Sequence, residues 1–199
     1  MQPSSGPNIV PRETLTAFSA LLLRWNKKVN LVAPHDESLL WERHIVDSLQ
    51  LAPFVSPHLC RAIDLGSGAG FPGLILALAT RIPFDLIEAD QRKAAFLREA
   101  IRITGAPARV HACRIEAAKL PPAPLVTARA LAPLPKLLSL AAPLLSPNGT
   151  CLFLKGVNAD AELTDAAAQW HMQVERIPSR TAPHASILRI SHLSRVNSV

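Results

Sequence analysis

At 199 residues and 49% hydrophobic content, the chain is long enough for one α/β domain with a small extension and too apolar to be disordered. Its formal net charge is +6, and aromatic residues make up 5% with no tyrosine, so stacking platforms for single-stranded nucleic acid are few. Cys60, Cys113 and Cys151 are widely spaced with no C-x-x-C, which argues against a disulfide framework or a metal site, and no apolar run reaches membrane-spanning length.

Residues 1–11, with three prolines, two serines and a glycine, read as a disordered arm. They lack the charged and apolar regions of a secretion signal, so a cytoplasmic protein is expected. Leu15, Phe18, Leu22, Trp25 and Val29 then recur at alternating spacings of three and four, which predicts one amphipathic helix from near Arg12 to before Asn30. A second helix is expected from about Glu37 to Leu51, with Asp36 as its N-cap. Its apolar face includes Leu40, Trp41, Ile45 and Leu49, and Pro53 ends it. On this helix Arg43 and Asp47 stand at i and i+4, an ordinary pair worth roughly 0.2–0.5 kcal/mol, beside His44 and Ser48. The segment 12–58 is too short to enclose a core and is expected to cap the remainder of the chain.

The next stretch is Asp64-Leu65-Gly66-Ser67-Gly68-Ala69-Gly70-Phe71-Pro72-Gly73, between the apolar runs Ala62-Ile63 and Leu74 to Ala79. That is a strand, a glycine-rich turn and a helix. Gly66, Gly68 and Gly70 at every second position allow left-handed backbone angles and close approach of a ligand. Pro72 suits the first helical turn, and the helix N-terminus points spare N–H groups into the crevice beyond the strand end. Two nucleoside fingerprints compete. Gly68, Gly70 and Gly73 satisfy the dinucleotide pattern G-x-G-x-x-G. The pattern D-x-G-x-G-x-G, the first motif of S-adenosylmethionine (SAM) methyltransferases, also uses Asp64 and fits the strand end better.

From Arg61 strand and helix patterns alternate. Strands are expected at 61–64, 84–88, 108–112, 125–128 and 150–154, with helices near 73–80, 91–104, 133–145 and 159–169. Two further strands, near 171–176 and 186–191, are expected as a hairpin that makes the sheet edge partly antiparallel. The prediction is a mostly parallel seven-stranded sheet with helices on both faces. It gives a single domain over 12–199, with a Rossmann-like core at 61–191. Leu120 to Pro124 reads as a proline-rich loop. Residues 61–160 carry twelve basic and seven acidic side chains, a surplus that suits a polyanionic substrate and equally suits plain solubility.

Several residues fall where a parallel sheet binds ligands. Glu88 ends the second strand and can accept both ribose hydroxyls, with Asp90 the alternative or the cap of the next helix. Glu116 lies past the third strand, where a carboxylate can accept an adenine amino group or stand as a solvated loop acid. Arg129 follows the fourth strand and Lys155 the fifth, each placed to meet a carboxylate or phosphate, the alternative being a merely solvated cation. The chain lacks the Asn/Asp-Pro-Pro-aromatic segment of amino-group methyltransferases and the Pro-Cys of cytosine-C5 enzymes. A substrate atom that is already nucleophilic, such as a ring nitrogen with a free lone pair, needs neither.

Six segments in order carry a resemblance to a known family. They are Asn26-Lys27-Lys28-Val29-Asn30-Leu31; Arg43-His44 with Asp47-Ser48-Leu49; the Asp64–Gly73 loop; Arg92-Lys93 with Phe96-Leu97; Ala128-Arg129-Ala130; and Leu154-Lys155-Gly156. Over about residues 13–190 the chain resembles the bacterial 16S ribosomal RNA guanine-N7 methyltransferase family RsmG, also called GidB. The resemblance implies SAM as cofactor, held by Gly66 and Phe71, by Ile115 and Glu116, and by Arg129. It implies guanine N7 in small-subunit RNA as the acceptor, with no general base. It also raises Arg43, His44 and Asp47 to substrate-positioning candidates alongside Lys155. Asp64, Gly68, Gly70 and Glu88 complete the expected cofactor set. One departure is that Pro121-Pro122-Ala123-Pro124 lacks the acid that the family usually carries there. A monomer that binds no membrane is expected. Competing functions are a methyltransferase of another RNA position or of a small molecule, a nicotinamide-dependent oxidoreductase, and a non-catalytic ribosome-binding protein.

Overall fold

The computed structural model describes residues 10–196, so most of the predicted arm at 1–11 lies outside the described residues. Seven strands, β1 (Ala62–Leu65), β2 (Phe84–Ile87), β3 (Ala108–His111), β4 (Ala123–Arg129), β5 (Leu145–Lys155), β6 (Trp170–Pro178) and β7 (Ser186–Arg195), form one sheet. Their order is β3-β2-β1-β4-β5-β7-β6. The first five pair in parallel, and β7 runs antiparallel to both β5 and β6. The expected fold class therefore holds, with the terminal hairpin supplying the antiparallel edge.

Neighbouring residues along each strand serve opposite faces, as the two-residue period requires. Ala62, Leu125 and Leu152 join one apolar layer with Phe18, Leu74 and Phe96. Ile63, Val126 and Phe153 join the other with Leu137, Leu138 and Trp170. The first layer includes α1 (Arg12–Asn26), α3 (Gly73–Thr80) and α4 (Gln91–Thr104). The second includes α5 (Leu134–Ala141) and α6 (Ala159–Ala167). From Leu74 to Ala79 every residue of α3 is buried, as expected of a helix apolar all round. Phe18 of α1 closes over it, edge-on to Phe71 at 5.7 Å and tilted on Phe96 at 6.2 Å. The apolar face of residues 12–58 is thus continuous with the core of the sheet.

The bounds of α3 and α4 coincide with the expected ones. Asp90 caps α4, accepting the amides of Arg92 at 2.8 Å and Lys93 at 3.2 Å. Asp90→Ala is expected to cost about 1 kcal/mol; urea denaturation checks this, and an unchanged midpoint would contradict it.

The single helix expected over 37–51 is not formed. Pro34–Asp36 is a 3-10 turn, Trp41–Val46 a π-helix, and only Asp47–Leu49 (α2) is α-helical. A π-helix closes i→i+5 hydrogen bonds in place of the expected i→i+4 ones. Arg43 pairs with Asp36 at 2.5 Å rather than with Asp47, and Asp36 caps no helix. Trp41 is 39% exposed, while Leu51 is wholly buried. Asn26 fastens the end of α1 to the 31–37 segment, accepting the amides of Leu31 and Val32 and donating to Glu37. The proline loop is also shorter than expected: β4 begins at Ala123, and a register irregularity between Ala123 and Leu125 accommodates Pro124, which has no N–H to give. Among the described residues no helix is long and apolar enough to cross a membrane.

Candidate active site

The turn between β1 and α3 opens at the carboxyl ends of the strands, where the sheet order reverses between β1 and β4. Gly66 and Gly68 take φ of 62° and 53°, angles that an L side chain strains to adopt. Gly73 is required for a different reason. A Cβ there would stand 2.4 Å from the Asp64 Cβ and 2.7 Å from its Oδ2. Gly73→Ala is expected to lose about 1–3 kcal/mol of stability, read from thermal unfolding; wild-type stability would contradict this.

Asp64 does not face the crevice. It is fully buried, and its Oδ1 accepts the Thr127 hydroxyl at 2.6 Å, Thr127 being its register partner on β4. Among the described residues its Oδ2 has no hydrogen-bond partner, and the donors around the carboxylate, Thr127 first, offset only part of the cost of burying the charge. Burial therefore pushes the Asp64 carboxyl up to about 6. The predicted cofactor acid is instead the support on which the glycine turn is built. Gly70 likewise faces protein, with Leu74 and Leu97 against the place of its missing Cβ.

Two cavities meet at this edge. The first, about 380 Å³, is lined by Gly66, Gly68, Glu88, Ile115 and Glu116, with Leu131 over the turn. Glu88 accepts the Gly68 amide and the Asp90 amide, each at 2.8 Å, one on each oxygen. Each oxygen keeps a second lone pair for a ribose hydroxyl. A Cβ at Gly68 would meet nothing closer than the Gly66 carbonyl at 3.7 Å, so the glycine leaves that space open. Apolar walls, two carboxylates and a bare glycine turn fit the adenosine part of SAM.

The second cavity, about 490 Å³, is lined by Arg43, His44, Asp47, Arg129, Lys155 and Glu162 among others. Ala130, at φ 50°, borders both cavities. Arg129 organises the wall: it donates to Asp47 Oδ2 at 3.1 Å, to the Arg43 carbonyl at 3.0 Å and to His44 Nδ1 at 2.8 Å. Its guanidinium lies 5.1 Å from the centre of the Phe71 ring, on which His44 also stacks at 5.1 Å. Burial works against the Arg129 charge, and Asp47 beside it offsets this. Because Arg129 donates to Nδ1, the proton of a neutral His44 sits on Nε2, 3.6 Å from Asp36. Burial, then the Arg129 charge, lowers the His44 imidazole to about 4, so the contact with Asp36 is not an ion pair at neutral pH. Phe71 is thus a buried pillar between His44 and Phe18, 5% exposed. Lys155 is not a free cation. It is held by Glu162 at 2.5 Å and by the Ala132 carbonyl at 2.9 Å.

Sequence reasoning missed four contributors. Thr127 was visible as a polar residue in an apolar strand opposite Asp64. Thr181, which donates to Asp47 Oδ1 at 2.5 Å, comes from the loop joining β6 to β7, and no local spacing marks it. Gln50 bonds Asp47 Oδ1 at 2.7 Å and the Arg180 amide at 2.9 Å, tying the same loop to α2. Glu162 also accepts the Leu134 amide at 2.6 Å.

The family model for rRNA small subunit methyltransferase G, GidB, matches residues 12–188. A protein named ribosomal RNA small subunit methyltransferase G from Gluconobacter oxydans is 58% identical, over 94% of this chain and 98% of its own length. A protein of the same name from Granulibacter bethesdensis is 55% identical, over 96% of this chain and 90% of its own. Among solved structures, that of M. jannaschii TYW2 in complex with AdoMet is similar with a TM-score of 0.57 at 15% identity, covering 77% of this chain and 76% of that one. That likeness concerns the fold alone. By the extent of the sequence matches, the chain belongs to the GidB family, the rRNA small subunit methyltransferase G proteins.

Proposed function

We propose that this chain is a SAM-dependent methyltransferase that modifies N7 of a guanine in the 16S RNA of the small ribosomal subunit, with residues 12–199 acting as one domain. The observation that carries it is the pair of cavities bordered by Ala130: one fits a nucleoside, and the other is large enough for a base. When bound, SAM supplies an electrophilic methyl group on a cationic sulfur. Gly66, Gly68, Glu88, Ile115 and Glu116 hold its adenosine part, while Arg129, backed by the buried Phe71 ring, lines the acceptor cavity.

The residues of the second cavity suit an acceptor that needs no deprotonation. His44 has its Nδ1 occupied by Arg129 and its Nε2 buried, so it is no general base. Asp47 is engaged on both oxygens by Arg129, Gln50 and Thr181. Guanine N7 carries a free lone pair, and positioning alone then supplies the acceleration. Arg43, His44 and Asp47 shape the acceptor cavity rather than move protons.

The reading is tested by mass spectrometry of digested small-subunit RNA from cells with and without the protein. A 7-methylguanosine that disappears with the protein supports it; one that persists excludes this substrate.

A further inference from the structure

The acceptor cavity has one wall with unused hydrogen-bonding capacity. Glu162 Oε2 is engaged twice, by Lys155 Nζ at 2.5 Å and by the Leu134 amide at 2.6 Å. Oε1 receives no donor among the described residues, and Glu162 lines the cavity with its side chain 20% exposed. Lys155 has three N–H groups, of which Glu162 and the Ala132 carbonyl engage two. A carboxylate acceptor and an ammonium donor therefore stand side by side, each with capacity left.

Their place in the fold matters. Lys155 ends β5 and Glu162 lies on α6, on the side of β4 away from β1 and the nucleoside cavity. A guanine presenting N7 toward Ala130 turns its N1–H and N2–H₂ toward this far wall, with O6 beside them. O6 is an acceptor; N1–H and N2–H₂ are donors. Adenine presents the reverse order, an N6 amino donor and a bare N1 acceptor, which would set donor against ammonium and acceptor against carboxylate.

We infer that the Lys155–Glu162 pair reads the base: Glu162 Oε1 accepts from guanine N1–H and N2–H₂, and Lys155 donates to O6, so the pair selects guanine over adenine. The inference rests on the function proposed above and deepens it. It also gives Lys155 a role on the base rather than on an RNA phosphate.

Glu162→Gln tests it. The amide oxygen can stay with Leu134 and Lys155 while its NH₂ takes the place of Oε1, so volume and fold are kept and an acceptor becomes a donor. On small-subunit RNA carrying guanine at the target, kcat/KM is expected to fall about 10–100-fold, with SAM affinity unchanged. On RNA carrying inosine there, which lacks the N2 amino group, the variant's loss relative to wild type is expected to be smaller. Equal losses on both RNAs, wild-type kcat/KM on guanine, or SAM affinity falling with activity would each overturn the inference. A second readout uses free nucleotides with S-adenosylhomocysteine present, followed by ligand-observed NMR. Wild type is expected to bind GMP over AMP and Glu162→Gln to lose that preference; a wild type that binds both equally overturns it. Should wild type form no 7-methylguanosine at all, the proposed function fails, and the nucleotide comparison still decides the role of Glu162.

Discussion

Arg129→Ala is expected to lower kcat/KM for RNA methylation by roughly 100-fold or more, the scale of a misplaced reacting group, equivalent to about 2.7 kcal/mol. Arg129 ends β4, the strand beside the glycine turn, and ties the 41–49 segment to that turn. One of its nitrogens reaches both the Arg43 carbonyl and Asp47, and another reaches His44, while the guanidinium covers Phe71. Without it the 41–49 segment is no longer pinned against the turn. Asp47, with a side chain only 14% exposed, also loses its charge partner. Arg129→Lys keeps the charge but cannot span the same three acceptors with a planar fork, so it is expected to recover little activity. Transfer from tritiated SAM, with a melting curve to show that the variant is folded, checks both substitutions. Methyl transfer by Arg129→Ala at the wild-type rate would refute the role.

The second large effect is a pair of opposing pH dependences hidden in the wild type. His44 is held near 4 in the folded protein against an ordinary value of 6.5, so on acidification the unfolded chain takes up the proton first. The stability linked to its neutral form is present above pH 6.5 and lost as pH falls toward 4. Asp64 behaves oppositely. Raised to about 6 from 3.8, it keeps its proton in the folded protein after the unfolded chain has released one. Its contribution is greatest below pH 3.8 and is lost as pH rises through 6. Each is worth about 2–3 kcal/mol, and between pH 4 and 6.5 they largely cancel. Asp64→Asn is therefore expected to lose stability on acidification from pH 6.5 to 4, and His44→Gln to gain it. Urea midpoints at several pH values read both; identical pH profiles for wild type and the two variants would contradict the account.

The sheet and the lining of the first cavity were legible in the sequence because both rest on local patterns. The apolar run Leu74 to Ala79 and the Asp90 cap fix α3 and α4, and strand ends fix where Glu88 and Arg129 emerge. The segment 37–51 was not legible. Leu40, Ile45 and Leu49 fit a helical period well enough to suggest one helix, but a π-helix is set by tertiary contacts. Here Asp36 meets Arg43 and His44, and Arg129 takes Asp47. The motif places Asp64 beside the turn and so marks it as a ligand. Its side chain lies against Gly73 and Thr127, and neither contact can be read from the motif. The second cavity was the least legible, since Glu162 and Thr181 reach it from α6 and from the β6–β7 loop, far along the chain.

The most direct test is a reconstituted reaction. Purified protein, SAM with an isotopically labelled methyl group and small ribosomal subunits from cells lacking this protein are incubated, and the RNA is digested and resolved by mass spectrometry. Label is expected in 7-methylguanosine at a single position of the small-subunit RNA; label on another base or another atom of guanine, or none despite bound SAM, would contradict the proposed function.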